Sequence, residues 1–240
     1  MDEGLKLEAA VYLFPVPLSE GTTHDVLTAR ELALLPHIKY FAVENLRSAR
    51  RFLSSVSREI VIDDLHFTEL SEHTRPEDVE AMLAPVKEGH ALGIISEAGC
   101  PAVADPGADL VAVAQRAGVK VVPLVGPSSI LLSLMASGFN GQSFAFQGYL
   151  PIDAKARTAA FRDMERNIRQ RRQTQIFIET PYRNNRLIEE MCASLPSDML
   201  LCVASDITGP RESIITLSIA KWRSRKYDYS KIPTIFLLFS

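Results

Sequence analysis

Ala91-Leu92-Gly93-Ile94-Ile95 runs without a break into Ser96-Glu97-Ala98-Gly99-Cys100-Pro101 and on to Asp105-Pro106-Gly107. The first five residues are apolar and read as a buried strand. Ser96 to Gly107 is a loop rich in glycine and proline. Ala108 to Ala117 is helical and closes at Gly118, where a glycine commonly ends a helix. Val119 to Val122 is again a strand. This alternation predicts a mostly parallel sheet with helices on its faces.

The same pattern extends toward the N-terminus. Leu7 to Phe14 reads as a buried strand stopped by Pro15 and Pro17. Asp25 to Leu35 spaces Val26, Ala29 and Ala33 as a helix that ends before Pro36. Tyr40 to Val43 is a strand followed by a helical stretch through Leu53. Glu59 to Ile62 is a third strand candidate, and Pro76 to Lys87 is a helix stopped at Gly89. Toward the C-terminus, Gly126-Pro127-Ser128-Ser129 opens another helix, and the pattern changes after Ser137. Strand candidates are now Phe144 to Phe146, Thr174 to Glu179, Met199 to Ala204, Glu212 to Leu217 and Pro233 to Phe239. The last three are closely spaced, which predicts antiparallel pairing and a mixed second sheet. The expectation is an α/β chain of two domains, residues 1–123 and 124–240.

The 240 residues are 47% hydrophobic with a net charge of −3, enough apolar side chain for real cores. That charge argues against nucleic-acid binding driven by total charge and leaves room for a local basic patch. Cys100, Cys192 and Cys202 form no CxxC pair, and the five histidines show no ligand spacing, so no metal site is expected. Asp2 and Glu3 have the wrong sign for a secretory leader, and no apolar run nears the ~20 residues of a membrane span. The reduced cysteines suit the cytoplasm.

Four segments carry candidate chemistry. Ligands of open α/β sheets bind beyond the carboxyl ends of strands, where the Ser96 to Gly107 loop begins. Its glycines admit close backbone approach, and its acids can accept hydrogen bonds from a ribose or an amine. The same residues equally make a tight turn with Asp105 capping the next helix. Gly126 to Ser129 offers N–H groups and hydroxyls at a helix start. In Phe177-Ile178-Glu179-Thr180-Pro181-Tyr182-Arg183 a charge ends an apolar strand, so Glu179 and Arg183 can line a polar cleft or form a surface ion pair. Lys155, Arg162, Arg166 and Arg169 share one helical face and Phe161, Met164 and Ile168 another, within a basic stretch that also holds Arg157, Arg171 and Arg172. Such a face can engage phosphates or simply be solvated.

Taken in order, Leu13 to Pro17, Val43-Glu44-Asn45-Leu46-Arg47, Ser96 to Gly107, Val125 to Ser129, Ala136-Ser137-Gly138, Gln147-Gly148-Tyr149-Leu150-Pro151 and Glu179 to Arg183 resemble the tetrapyrrole (corrin/porphyrin) methylase superfamily. The similarity is greatest to its ribosomal-RNA branch, which methylates a cytidine 2′-hydroxyl on the small subunit. Differences from that branch concentrate in the presumed acceptor-facing loops. Where its first loop reads T-P-I-G-N-L-x-D, Pro15-Val16-Pro17-Leu18-Ser19-Glu20-Gly21 lacks the glycine and asparagine, and its E-S-P-H-R stands here as Glu179-Thr180-Pro181-Tyr182-Arg183. The resemblance implies two α/β domains with S-adenosylmethionine held in the cleft between them, and a homodimer. It implies Pro15, Glu97, Gly99, Cys100, Ser128, Ser129 and Pro181 near the donor. Glu44, Arg47, Glu179 and Arg183 would face the acceptor, with Glu44 or Glu179 as base and Arg162, Arg166 and Arg169 on the RNA. Two other readings stay open: a methylase of a tetrapyrrole or another small molecule, and a non-catalytic module that binds the donor or RNA.

Overall fold

The computed structural model describes residues 7–240, and the chain divides into two compact units, Met1–Ser128 and Ser129–Ser240. The first unit runs β1 (Val11–Phe14), α1 (Thr23–Val26), α2 (Ala29–Leu34), β2 (Tyr40–Val43), α3 (Leu46–Val56), β3 (His66–Glu69), α4 (Pro76–Ala81), α5 (Ala84–Lys87), β4 (Leu92–Ile95), α6 (Gly107–Arg116) and β5 (Val121–Pro123). Its sheet has the order β3-β2-β4-β1-β5 and every pairing is parallel. Leu92 opposes both Val11 and Tyr40, so β4 is central, and all four of its residues are buried. Helices cover both faces: α3 through Ala49, Leu53 and Val56, and α6 through Leu110 and Ala114. A strand covered on both faces has no polar side, which is why β4 reads as a continuous apolar run.

The second unit runs α7 (Ser129–Ser137), β6 (Phe144–Tyr149), α8 (Ala154–Arg171), β7 (Thr174–Ile178), α9 (Asn184–Ser194), β8 (Leu200–Ser205), β9 (Ser213–Ser218), α10 (Ile219–Ser224) and β10 (Thr234–Phe239). Its sheet order is β6-β7-β10-β8-β9. β6 and β7 are parallel and the other neighbours antiparallel; the antiparallel pairing expected among the last three strands is seen in β8–β9 and β8–β10. Phe161, Met164 and Ile168 of α8, Leu187, Ile188 and Met191 of α9, and Trp222 of α10 pack on Phe177, Val203 and Phe236. The apolar face expected for α8 is therefore the face that is buried.

Three local expectations fail. Glu59 to Ile62 is not a strand. Ile60 is buried, but Asp64 N–H turns back to the Val61 carbonyl, and the strand that pairs with β2 begins at His66. The helix expected over Asp25 to Leu35 is interrupted at Leu27, because Thr28 starts a fresh helix through a capping box with Glu31. The helix expected over Pro76 to Lys87 is two short ones. Pro85 has no N–H to continue the ladder.

Candidate functional site

In the first unit the loops after β1, β4 and β5 are tied together by backbone. Val16 N–H donates to the Gly99 carbonyl at 2.9 Å, and Gly99 N–H returns the bond to Val16 at 3.1 Å. Gly99 takes φ +73°, and a Cβ there would meet Leu18 Cδ2 at 3.1 Å and the Pro127 carbonyl at 3.3 Å. A Cβ on Gly126 would lie 2.2 Å from Pro15 Cβ, so only glycine lets that proline pack. The Cys100 thiol donates to the Pro127 carbonyl at 3.4 Å, and burial, helped by Glu31, holds its pKa up. Pro15, Gly99, Cys100 and the segment leading to Ser128 are thus brought together.

Acids gather on the same loops. Glu44, just beyond β2, accepts the Glu97 N–H at 3.2 Å, and Ser48 Oγ donates to the Glu97 carboxylate at 3.3 Å. Asp105 Oδ1 accepts from Ala102 N–H at 3.0 Å and Gly107 N–H at 2.6 Å, closing the loop; the N-cap of α6 is Pro106, so Asp105 lies one residue before the capping position expected of it. Ala102 and Ala104 sit at φ +64° and +58°, a left-handed conformation that costs an alanine roughly 1–2 kcal/mol. Asp105 Oδ2 is buried and accepts no backbone N–H, with the Ser96 hydroxyl as its polar neighbour. Burial raises the Glu44 pKa; the Glu97 N–H opposes this, and the charges of Asp105 and Glu97 add to it. Burial likewise raises Asp105, against its two N–H donors and the Ser96 hydroxyl.

Beside these groups lies a cavity of about 580 Å³ lined by Leu18, Thr23, Ser48, Phe52, Ser55 and Glu97 among others. At its rim Arg51 is paired with Glu20 at 3.0 Å, which leaves Glu97 as the one further charged residue of the lining. That polarity fits a sulfonium cation. Ser48, Phe52 and Ser55 were not singled out from sequence. Their only signal is i, i+4 and i+7 spacing on α3, which the core residues share. Arg47 is exposed in the first turn of the same helix.

In the second unit Glu179 is buried, and its Oε1 accepts Arg183 Nη2 at 2.6 Å and Thr180 N–H at 2.7 Å. Pro181 opens a single helical turn held by Lys231 N–H at 3.0 Å. Arg157, read from sequence as part of the basic stretch, is buried instead. It forms a two-point ion pair with Glu190, at 2.5 and 2.8 Å, and donates to the carbonyls of Pro151 and Ile152. Of the arginines on the exposed face of α8, Arg166 pairs with Asp163 at 2.5 Å and Arg169 with Glu165 at 2.9 Å. Arg162 forms no ion pair among the described residues. Among those residues no cluster of three metal-ligating side chains occurs, and no helix is long and apolar enough to cross a membrane.

The sequence profile of the tetrapyrrole (corrin/porphyrin) methylases matches residues 23–222. The chain belongs to this family. It is 31% identical to the ribosomal RNA small subunit methyltransferase I of Vibrio cholerae over 88% of this chain and 69% of that protein. With the protein of that name from Escherichia coli O157:H7 it shares 30% identity over 86% of this chain and 68% of the other. The methyltransferase CobJ has the same fold, with a TM-score of 0.64 at 16% identity over 96% of this chain and 94% of that one. So does the cobalt precorrin-4 methyltransferase CbiF, at 0.60 and 13% over 98% of each. The methylase is therefore an S-adenosylmethionine-dependent methyltransferase.

Proposed function

We propose that this methylase transfers the methyl group of S-adenosylmethionine to a cytidine 2′-hydroxyl of small-subunit ribosomal RNA. The observation that carries the acceptor is the 31% identity, over 88% of the chain, with a ribosomal RNA small subunit methyltransferase. The tetrapyrrole enzymes share the fold at about half that identity. The cytidine hydroxyl follows from the ordered motifs that resemble that branch.

Pro15, Glu97, Gly99, Cys100 and Ser128 in the first unit, with Ser129 and Pro181 in the second, are the residues assigned to the donor. When bound, the donor supplies an electrophilic methyl carbon, already activated by its sulfonium, so the chain mainly orients and excludes water. A ribose hydroxyl is a weak nucleophile and gains from a base in hydrogen-bond reach. We assign that base to Glu44. Burial and the neighbouring acids move its pKa toward working pH, and one of its oxygens is free of the Glu97 N–H. It takes the hydroxyl proton as the oxygen–carbon bond forms and the carbon–sulfur bond breaks. Glu179 is already engaged by Arg183 and Thr180, which suits it to hold Arg183 toward the acceptor. Arg47 and Arg162 are assigned to acceptor phosphates; Arg166 and Arg169, expected there from the sequence, are held by Asp163 and Glu165.

The enzyme is further read as a cytoplasmic homodimer. Three free cysteines support the compartment, and the exposed Leu131 and Met135, one turn apart on α7, support the interface. Labelled donor incubated with small ribosomal subunits, with naked RNA and with a tetrapyrrole tests the acceptor. Label recovered in 2′-O-methylcytidine is expected, reduced ~100- to 10,000-fold in Glu44→Gln. Label confined to the tetrapyrrole, or donor binding without transfer to any of them, overturns the reading.

A further inference from the structure

Lys221-Trp222-Arg223-Ser224-Arg225-Lys226-Tyr227 carries four cations and no acid in a chain whose net charge is −3. Arg223 is turned inward, donating to the carbonyls of Cys192 and Leu195 at 2.8 and 3.2 Å and to Ser197 Oγ at 2.7 Å. That fixes the end of α9 to the end of α10. Lys221, Arg225 and Lys226 are exposed, and none forms an ion pair among the described residues. The exposed face of α8 differs, since two of its arginines are already neutralised by acids one turn away.

Arg225 is also pre-placed. Its guanidinium lies 5.7 Å from the centre of the Trp222 ring. Trp222 is itself immobile, buried at 1% exposure with its indole N–H on the Leu201 carbonyl at 2.9 Å. Tyr227 stands edge-on to the same ring at 5.7 Å. Burial pushes the Tyr227 phenol up to about 12, so it stays neutral beside an anion. An open groove of about 790 Å³ follows, lined by Asn185, Cys192, Arg225, Lys226 and Tyr227, with Glu189 as its acid. A cation over a fixed aromatic ring loses little freedom when it takes an anion.

We propose that the surface formed by Lys221, Arg225 and Lys226 beside this groove binds the phosphates of a single-stranded segment of the RNA substrate. The inference rests on the RNA reading above and adds where the backbone docks. Three exposed cations with no acid between them in sequence suit a polyanion, and each phosphate neutralised releases condensed counterions. Tyr227, the one partly exposed aromatic ring lining the groove among the described residues, offers a contact for a single unstacked base.

The test uses the full chain and a fluorescent single-stranded RNA oligonucleotide, titrated by anisotropy at several salt concentrations. The triple change Lys221→Gln, Arg225→Gln, Lys226→Gln should flatten the slope of log K against log salt by about 2, at ~0.7 per phosphate contact. Donor affinity by calorimetry and the circular dichroism spectrum should match the parent. Arg225→Lys keeps the charge and should keep the slope. If the triple variant binds RNA like the parent while label still enters RNA, this surface is wrong and the acceptor reading stands. If the parent neither binds RNA at low salt nor labels it, both fall. Tighter binding of polyglutamate than of RNA by the parent would assign the surface to an acidic protein and overturn the proposal.

Discussion

At Asp105 one carboxylate oxygen accepts two backbone N–H groups while the other is buried, with the Ser96 hydroxyl as its polar neighbour. The loop it closes holds two alanines in left-handed geometry, so this carboxylate stabilises a conformation the alanines disfavour. Its charge also raises the pKa of Glu44. Asp105→Asn keeps an acceptor oxygen for the two N–H groups and removes that charge. The Glu44 pKa should then fall. A base must be unprotonated to act, so the acid limb of the pH–rate profile should move to lower pH while kcat on the plateau changes little. An unmoved limb with an intact fold would separate Glu44 from the proton transfer. A purely structural Asp105 would change the plateau or the stability and leave the limb where it was.

Arg157 links α8 to α9, and through the Pro151 and Ile152 carbonyls it fixes the turn that joins β6 to α8. Its side chain is 7% exposed and that of Glu190 24%. Neutralising Glu190 leaves the Arg157 charge on the Pro151 and Ile152 carbonyls, and because Glu190 is partly exposed the cost is roughly 1–3 kcal/mol. Glu190→Gln should therefore lower the chemical-denaturation midpoint clearly. Arg157, with Arg186, holds the Glu190 pKa below 4.5. The stabilisation is thus present above the unfolded value and is lost as pH falls through the folded one, and the variant should lack that acid-side loss. Equal acid sensitivity in both proteins would count against the pair.

Sequence spacing exposes only part of this arrangement. Tyr40–Val43 and Thr234–Phe239 are legible because strands buried on both faces read as apolar runs. β3, an edge strand of sequence His-Phe-Thr-Glu, carries no such signal, and the buried Ile60 before it mimics one. The glycines at 99 and 126 announce close backbone packing. Glu190, distant in sequence from Arg157, is found only through tertiary contact, whereas Asp163 and Glu165 stand within a turn of Arg166 and Arg169 and are visible as their partners.

For the whole molecule, assembly is the property that exposed apolar side chains bear on. Leu131 and Met135 are 51% and 78% exposed, and a pair of large apolar side chains on one helix face favours burial against a second copy. Light scattering at micromolar concentration should give about twice the chain mass of 26.6 kDa. Leu131→Glu with Met135→Glu should return the single-chain value. A parent that is cleanly monomeric would refute the dimer.

β10, the last strand in sequence, lies between β7 and β8 rather than at an edge. During synthesis the first sheet has all its strands once Pro123 has emerged, and it can close while translation continues. The second cannot close in the same way. β7 and β8 have no direct pairing to each other and expose unmatched backbone until Phe239 is made. At ~5–20 residues per second the wait between the two events is on the order of ten seconds. Throughout it the nascent chain carries a finished half and an open one, and a chaperone that shields strand edges would have its client there.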